Sequence, residues 1–273
     1  MFSFINKARS HKSLKEKTIK AKNLFLDILF PSICINCQRL LKTQTNTENN
    51  TDLYGSNQCI CYECFSSIKI NNTLFCPVCR ARLAENKKIC HFDSKYLLGA
   101  AGNYDDPGLQ NLIHSFKYKG VKGLSQVLSS LLIKYIENCK LLTYLNFSQK
   151  DFGERIENFI VIPIPLYPRR ERERGFNQTK LIAENLAKKL NLEISDALLR
   201  IKDTKSQAQT KNSEERAKNV KDCFKIKNQE MVCGKNIILI DDVFTSGATI
   251  NEAVKILKQN GAKKILALVV AKA

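Results

Sequence analysis

The 273-residue sequence lacks several features that would assign it to common protein classes. It has no tryptophan, only three histidines and no apolar run approaching the ~20 residues of a transmembrane helix, so we expect no membrane span. The N-terminus has neither a long apolar core nor a small-residue cleavage site, so we expect no secretory signal and a cytoplasmic location. No Walker A pattern and no G-x-G-x-x-G fingerprint occur, which excludes P-loop and dinucleotide-binding motifs.

Acidic residues are scarce relative to basic ones. Lysine and arginine total 44 against 26 aspartates and glutamates, a formal net charge of +18. Such a surplus favours a polyanion, such as nucleic acid, a phosphorylated metabolite or an anionic lipid, although basic charge also serves solubility alone. The basic residues are concentrated in residues 7–22 and in a second cluster within residues 169–174.

Cysteines, by contrast, are abundant and clustered. Eight of the eleven fall between residues 34 and 90, and C-x-x-C pairs recur among them. An odd count without an export signal argues against disulfides, and repeated C-x-x-C pairs are typical of zinc knuckles in a reducing compartment. Cys59 could replace Cys61 in the first knuckle site. The predicted ligands of the first zinc site are Cys34, Cys37, Cys61 and Cys64.

A second set of cysteines is incomplete. It supplies three thiols, so a tetrahedral zinc site needs a fourth ligand from His91 or Asp93, both chemically acceptable. The set could equally be degenerate and hold no metal. Its three thiols are those of Cys76, Cys79 and Cys90.

Changes in composition divide the chain into three parts. Residues 1–30 form a basic tail with a short amphipathic helix from about Ser13. Residues 31–95 form the cysteine-rich module, interrupted by a polar loop at Thr43–Gln58. Residues 96–273 form the larger domain.

Helical and β-branched segments alternate in the larger domain. Helical spacing predicts helices over Leu109–Tyr118, Leu124–Tyr135, Leu181–Leu190 and Ile250–Gln259. Compact apolar runs predict strands at Phe159–Ile164, Asn236–Ile240 and Lys264–Val270. The alternation predicts an α/β fold in which a parallel sheet has helices on both faces.

The most informative segment runs from Ile237 to Thr249. A buried strand leads into the adjacent acids Asp241 and Asp242, and then into small residues that open a helix. Backbone N–H groups at a helix N-terminus bind phosphate, and carboxylates beside them suit the hydroxyls of an attached sugar, together with Mg²⁺. The predicted phosphate-binding residues are Thr245, Ser246, Gly247, Ala248 and Thr249.

A second segment, residues 161–178, leaves a strand as a predicted basic loop and brings four arginines close to a glycine. Arginine forms bidentate contacts with phosphate, although the interleaved Glu171 and Glu173 could simply pair with the arginines. The predicted pyrophosphate, acceptor or DNA residues of this segment are Arg169, Arg170, Arg172, Arg174, Gly175, Asn177 and Gln178.

Residues 237–249 resemble the motif by which type I phosphoribosyltransferases bind 5-phosphoribosyl pyrophosphate (PRPP): four apolar residues, two acids, an apolar pair, then Thr-Ser-Gly-x-Thr. The chain as a whole closely resembles the ComF competence proteins. That likeness rests on the cysteine knuckles, the Arg-Gly-Phe-Asn-Gln sequence and the segments Tyr104–Tyr118 and Gln207–Val220, in the same order. Many relatives have a fourth cysteine pair, whereas Asp93 stands here where its second cysteine would fall.

The resemblance implies a zinc-ribbon-like module in front of a type I phosphoribosyltransferase fold. By it, Asp241 and Asp242 hold ribose hydroxyls and are the candidate catalytic acids should PRPP be turned over, which the resemblance leaves open; residues 245–249 hold the 5′-phosphate, and Arg174–Gln178 lie on the pyrophosphate or acceptor side. It implies PRPP as ligand and a role in handling single-stranded DNA during natural transformation, with a protein of the uptake machinery as a further partner. The alternative is an active phosphoribosyltransferase of nucleotide or small-molecule metabolism without a DNA role.

Overall fold

The computed structural model describes residues 31–41, 59–83, 90–91, 93–141, 159–204 and 213–273. The basic tail, the helix predicted from Ser13 and the polar loop Thr43–Gln58 lie outside the described residues. Among the helices that are described, none is both long and apolar enough to cross a bilayer.

Seven strands are present in the described residues. In chain order they are β1 (Leu97–Asn103), β2 (Phe159–Pro163), β3 (Glu193–Ile194), β4 (Leu198–Arg200), β5 (Phe224–Ile226), β6 (Asn236–Phe244) and β7 (Ile265–Lys272). The central sheet has the order β1-β7-β6-β2-β3 and all its pairings are parallel. β4 and β5 form a separate antiparallel pair.

Helices cover both faces of the central sheet. The described residues form seven α-helices in all, namely α1 (Tyr62–Ser67) in the cysteine-rich module and, in the larger domain, α2 (Pro107–Tyr118), α3 (Leu124–Asn138), α4 (Pro168–Arg174), α5 (Gln178–Leu190), α6 (Ser213–Val220) and α7 (Ala248–Gln259). Alternate residues of β6 enter different cores: Ile238 and Ile240 pack with α2, α3 and α5, whereas Ile237 and Leu239 pack with α7. The predicted α/β fold with helices on both faces is therefore confirmed.

The arginine-rich segment after β2 is helix α4, not the loop that its composition predicted. Pro168 occupies the first helical turn, and Gly175 ends the helix with a left-handed φ of 80°. Proline at a helix start and glycine just past its end are ordinary capping positions. Because proline and glycine also occur in loops, the sequence pattern alone favoured a loop over this helix.

Strand β6 is longer than the predicted Asn236–Ile240. It continues through both acids to Phe244, which still pairs in register with Lys272 of β7. Asp241 and Asp242 are therefore held by sheet backbone, and their side chains have a fixed direction relative to the strand end.

The described part of the cysteine-rich module packs directly against the sheet domain. The backbone N–H of Phe75 donates to the carbonyl of Leu98 in the edge strand β1 at 2.8 Å. The Tyr135 hydroxyl of α3 donates to the Thr73 carbonyl, also at 2.8 Å. These contacts fix the position of the module relative to the strand ends.

Candidate functional site

A cavity of about 290 Å³ opens at the carboxyl ends of β2 and β6. Its walls come from these strand ends and from α2, α4, α6, the end of β4 and the first residues of α5 and α7. In open parallel sheets ligands bind at this edge, because loops and helix N-termini converge there. Both sequence segments that were predicted to bind phosphate contribute to the lining.

The predicted phosphate-binding segment, residues 245–249, forms the turn after β6 and the first two residues of α7, and it borders the cavity along its whole length. Gly247 has a φ of +80°, and a Cβ atom added there would lie 2.7 Å from the ring of Phe244. Only glycine fits this combination of left-handed backbone and close approach. The helix that follows begins at Ala248, so its positive N-terminal end faces the cavity.

We expect Gly247→Ala to lower the free energy of unfolding by about 1–3 kcal/mol and to weaken phosphate binding, because the added methyl must displace Phe244 or the turn. Denaturant unfolding and calorimetric titration measure the two effects. Gly234→Ala is the matched control: its φ is +73°, but no described atom lies within 4 Å of the new Cβ. Equal losses for the two variants would contradict the close approach at Gly247.

The two adjacent acids lie in different environments. Lys117 of α2 forms an ion pair with Asp242, with Nζ and Oδ1 2.8 Å apart. Asp241 accepts the backbone N–H of Asp242 at 2.9 Å. Burial, together with the charge of Asp242, raises the pKa of Asp241 to about 7. The pair therefore offers the cavity one carboxylate held by a lysine and one carboxyl that gains a proton easily.

Four arginines border the same cavity: Arg170 and Arg174 of α4, Arg200 of β4 and Arg216 of α6. Arg200 is partly buried, and this burial lowers the pKa of its guanidinium. The Nε atom of Arg216 is buried without a hydrogen-bond partner among the residues that the structure describes. Guanidinium groups that have lost part of their hydration are suited to binding a multiply charged anion, because the oxygens of the anion replace the lost water.

The predicted arginine cluster is divided by the helix that carries it. Arg169 lies 2.9 Å from Glu173 and 3.6 Å from Asp203, both through side-chain ion pairs. Neither Arg169 nor Arg172 is among the described residues that line the cavity. A helix turns successive side chains to different sides, so only two of the four predicted arginines face the ligand space.

Asn177 and Gln178 begin helix α5 and differ in what they contact. The Asn177 side chain accepts the Thr179 N–H at 3.2 Å and donates to the Ile164 carbonyl at 3.3 Å, so it is a helix cap. Gln178 lines the cavity and is almost fully buried, yet its Nε2 has no partner among the described residues. An unsatisfied buried donor costs about 1–3 kcal/mol, which a ligand oxygen would relieve.

The sequence did not assign Arg200 or Arg216 to the site, and it left Lys117 as either a phosphate contact or a solvent-facing residue. Arg216 and Lys117 fall inside the two segments that carry the family resemblance, so a weak signal existed for both. Arg200 lies at the end of a three-residue strand in a part of the chain without a distinctive pattern.

The first cysteine cluster is assembled by the structure. The thiols of Cys34, Cys37, Cys61 and Cys64 lie within 4.8 Å of one another. Cys37 Sγ and Cys61 Sγ are 3.7 Å apart, and a tetrahedron with Zn–S bonds of ~2.3 Å has sulfur–sulfur edges of about 3.8 Å. Cys59 is not a member of this group, so among the described residues Cys61 is the ligand candidate. The donor set fits a structural zinc ion.

The second cluster has four donors: Cys76, Cys79, Cys90 and His91. His91 Nδ1 lies 3.4 Å from Cys76 Sγ and 3.3 Å from Cys90 Sγ. Asp93 is described but is not part of the group. The structure thus selects His91 from the two predicted alternatives, and the Cys₃His set also fits zinc.

Arg80, the residue after one donor of the second cluster, contacts the base of the turn between β6 and α7. The guanidinium of Arg80, which directly follows Cys79, lies 5.9 Å from the ring centroid of Phe244. The same ring abuts Gly247. The second cysteine cluster and the cavity, which are formed by residues distant in sequence, are therefore separated by two side chains, those of Arg80 and Phe244.

The chain is similar to several known proteins. A family model described as phosphoribosyl transferase domain matches residues 180–273. The chain is 27% identical over 212 residues to the DNA utilization protein YhgH of Shigella flexneri, covering 76% of this chain and 87% of that protein. It is 27% identical over 246 residues to the competence protein ComFC of Bacillus subtilis, covering 84% and 90%. Among solved structures, the glutamine PRPP amidotransferase of B. subtilis complexed with ADP and GMP has a TM-score of 0.30 and 16% identity, covering 43% of this chain and 23% of that one.

Proposed function

Because this chain resembles the ComF competence proteins over most of its length, we propose that it binds PRPP with Mg²⁺ and assists the handling of single-stranded DNA in natural transformation. The cavity carries the first half of this proposal. It joins a helix N-terminus, two carboxylates and four arginines in one space of about 290 Å³. PRPP has three matching parts, namely a 5′-phosphate, ribose hydroxyls and a pyrophosphate.

Each part of PRPP has a group suited to it. The turn at residues 245–249 binds the 5′-phosphate through backbone N–H groups and hydroxyls. Asp241 and Asp242 accept hydrogen bonds from the ribose hydroxyls. The pyrophosphate is placed among Arg170, Arg200 and Arg216, whose guanidinium groups form bidentate contacts with phosphate oxygens.

The carboxyl oxygens of Asp241 and Asp242 are hard ligands of the kind that Mg²⁺ prefers, so the residues fit this ion. Bound Mg²⁺ would supply positive charge that neutralises the pyrophosphate. The two acids would also stabilise the positive charge that develops on the sugar if pyrophosphate leaves. The same groups therefore suit either binding or turnover of PRPP.

The DNA part of the proposal has separate support. The names of the two relatives refer to DNA utilization and to competence. The net charge of +18 favours a polyanionic partner. Location in the cytoplasm and a protein partner of the uptake machinery belong to the same proposal.

We expect Arg216→Gln to weaken PRPP binding by about 10- to 100-fold, the effect of losing one charged hydrogen-bonding group, and to leave ribose 5-phosphate binding nearly unchanged. Calorimetric titration with each ligand, with and without Mg²⁺, measures the difference. Arg172→Gln, an exposed arginine outside the described cavity lining, is the control. Equal loss for both ligands would contradict the placement of the pyrophosphate beside Arg216.

The alternative function, an active phosphoribosyltransferase in metabolism, is favoured by the raised pKa of Asp241, which gives a partly buried acid able to exchange a proton near neutrality. Release of pyrophosphate from PRPP with mixed base acceptors, in a protein without salt-dependent single-strand binding, would establish it. PRPP binding without pyrophosphate release, together with DNA binding, supports the function proposed above.

A further inference from the structure

Tyr118 is an exposed aromatic residue at the edge of the cavity. It is the last residue of α2, lines the cavity and is 58% exposed. Two neighbouring aromatics in the sequence patterns, Phe116 and Phe176, are instead buried and pack against each other with centroids 5.3 Å apart. The structure thus separates core aromatics from one that is presented to solvent.

Two side chains hold the Tyr118 ring in place. His114, one helical turn earlier, lies with its ring centroid 4.8 Å away and tilted by 49°. The guanidinium of Arg174, from the end of α4, lies 5.5 Å from the Tyr118 centroid. With both contacts present the side chain remains more than half exposed, so ring surface is open to a ligand. Exposed Lys119 follows directly and adds a further cation at this edge.

An oriented, exposed aromatic ring among cations is the arrangement by which proteins bind single strands, since bases stack on the ring and phosphates contact the cations. A duplex keeps its bases stacked inside and offers no free base face to such a ring. We infer that Tyr118, His114 and Arg174 form a stacking platform for one unpaired base of single-stranded DNA at the mouth of the cavity. This inference rests on the proposed DNA function and names the surface that performs it.

The platform can be tested with two labelled single strands of equal length, one of thymidylate and one with abasic residues, by fluorescence anisotropy at fixed salt. Tyr118→Ala is expected to weaken thymidylate binding roughly 5- to 100-fold, the usual effect of losing one base stack. Its affinity for the abasic strand, which is bound through phosphates alone, should stay within about twofold of the unaltered chain. Tyr118→Phe keeps the ring and should keep the affinity.

Tyr62→Ala is the matched control, because Tyr62 is 56% exposed but lies on the cysteine-rich module. Equal weakening on both strands, or no weakening on thymidylate, would overturn the platform while leaving DNA binding by the chain intact. A chain that binds PRPP but neither strand overturns the platform and the DNA half of the proposed function. A chain that binds neither strand nor PRPP overturns the proposed function as a whole.

Discussion

Replacing Asp241 with asparagine is expected to raise the stability of the ligand-free protein at pH 8 and to remove most of its affinity for PRPP. Asparagine has the same shape and can still accept the Asp242 N–H that Asp241 Oδ1 accepts at 2.9 Å. It has no charge, so it removes both the cost of ionising a poorly hydrated carboxyl and its repulsion with Asp242. We expect a gain of about 1–3 kcal/mol at pH 8, reduced from the full linkage value by partial solvent screening.

The direction of the pH dependence follows from the pKa of Asp241. Burial and the charge of Asp242 raise that pKa to about 7, above the ordinary value of about 4 in the unfolded chain. The folded state therefore prefers the protonated form. The stability that protonated Asp241 contributes is fully present below about pH 4 and is lost as the pH rises through about 7. The advantage of Asp241→Asn should accordingly be largest at pH 8 and should vanish near pH 4.

Asp242→Asn is the matched comparison, and it is expected to have the opposite effect on stability. It removes the partner of Lys117, whose Nζ lies 2.8 Å from Asp242 in a pair with little exposure. Leaving that ammonium unpaired should lower the free energy of unfolding by about 1–3 kcal/mol, and this loss is reduced because Asp241 is no longer repelled by the charge of Asp242. Denaturant unfolding at pH 4, 6 and 8 distinguishes the two variants. Equal stability changes for both would contradict the separate environments of these acids.

Loss of the second metal site is expected to weaken PRPP binding from a distance. His91→Ala removes one of four donors, and we expect the zinc content to fall from two ions per chain to one. Without the metal, the knuckle that carries Arg80 loses its fixed position against the ring of Phe244, which supports Gly247. A coupling of about 1–3 kcal/mol corresponds to a roughly 5- to 100-fold loss of PRPP affinity.

The route of this coupling can be tested without touching the metal. Arg80→Ala should keep both zinc ions and still reduce PRPP affinity, whereas Arg82→Ala, an exposed neighbour, should change neither. A second route exists through Tyr96, whose hydroxyl donates to Asn251 Oδ1 of α7 at 2.7 Å. Unchanged PRPP affinity after His91→Ala, with one zinc ion lost, would show that the two sites are independent. A protein with no zinc at all would contradict both clusters.

Much of the fold could be predicted because its signals are local. The runs at Phe159–Ile164 and Asn236–Ile240 predicted strands through a few consecutive apolar residues, and the structure has strands there. Helix α4 was missed, because Pro168 and Gly175 have the same appearance in a loop as at the two ends of a short helix. Local composition does not distinguish these cases, since the difference lies in the packing on either side.

The sequence by itself determined the turn at residues 245–249 and three donors of the first cysteine cluster, Cys34, Cys37 and Cys64, because these groups are close along the chain or occur in a fixed spacing. The structure selected Cys61 over Cys59 as the fourth donor. The tertiary structure alone decided which arginines face the cavity, that His91 and not Asp93 joins the second cluster, and that Tyr118 is exposed while Phe116 is buried. The physical reason is that a backbone pattern depends on neighbouring residues, whereas convergence of side chains depends on strand order and on helix packing across the sheet.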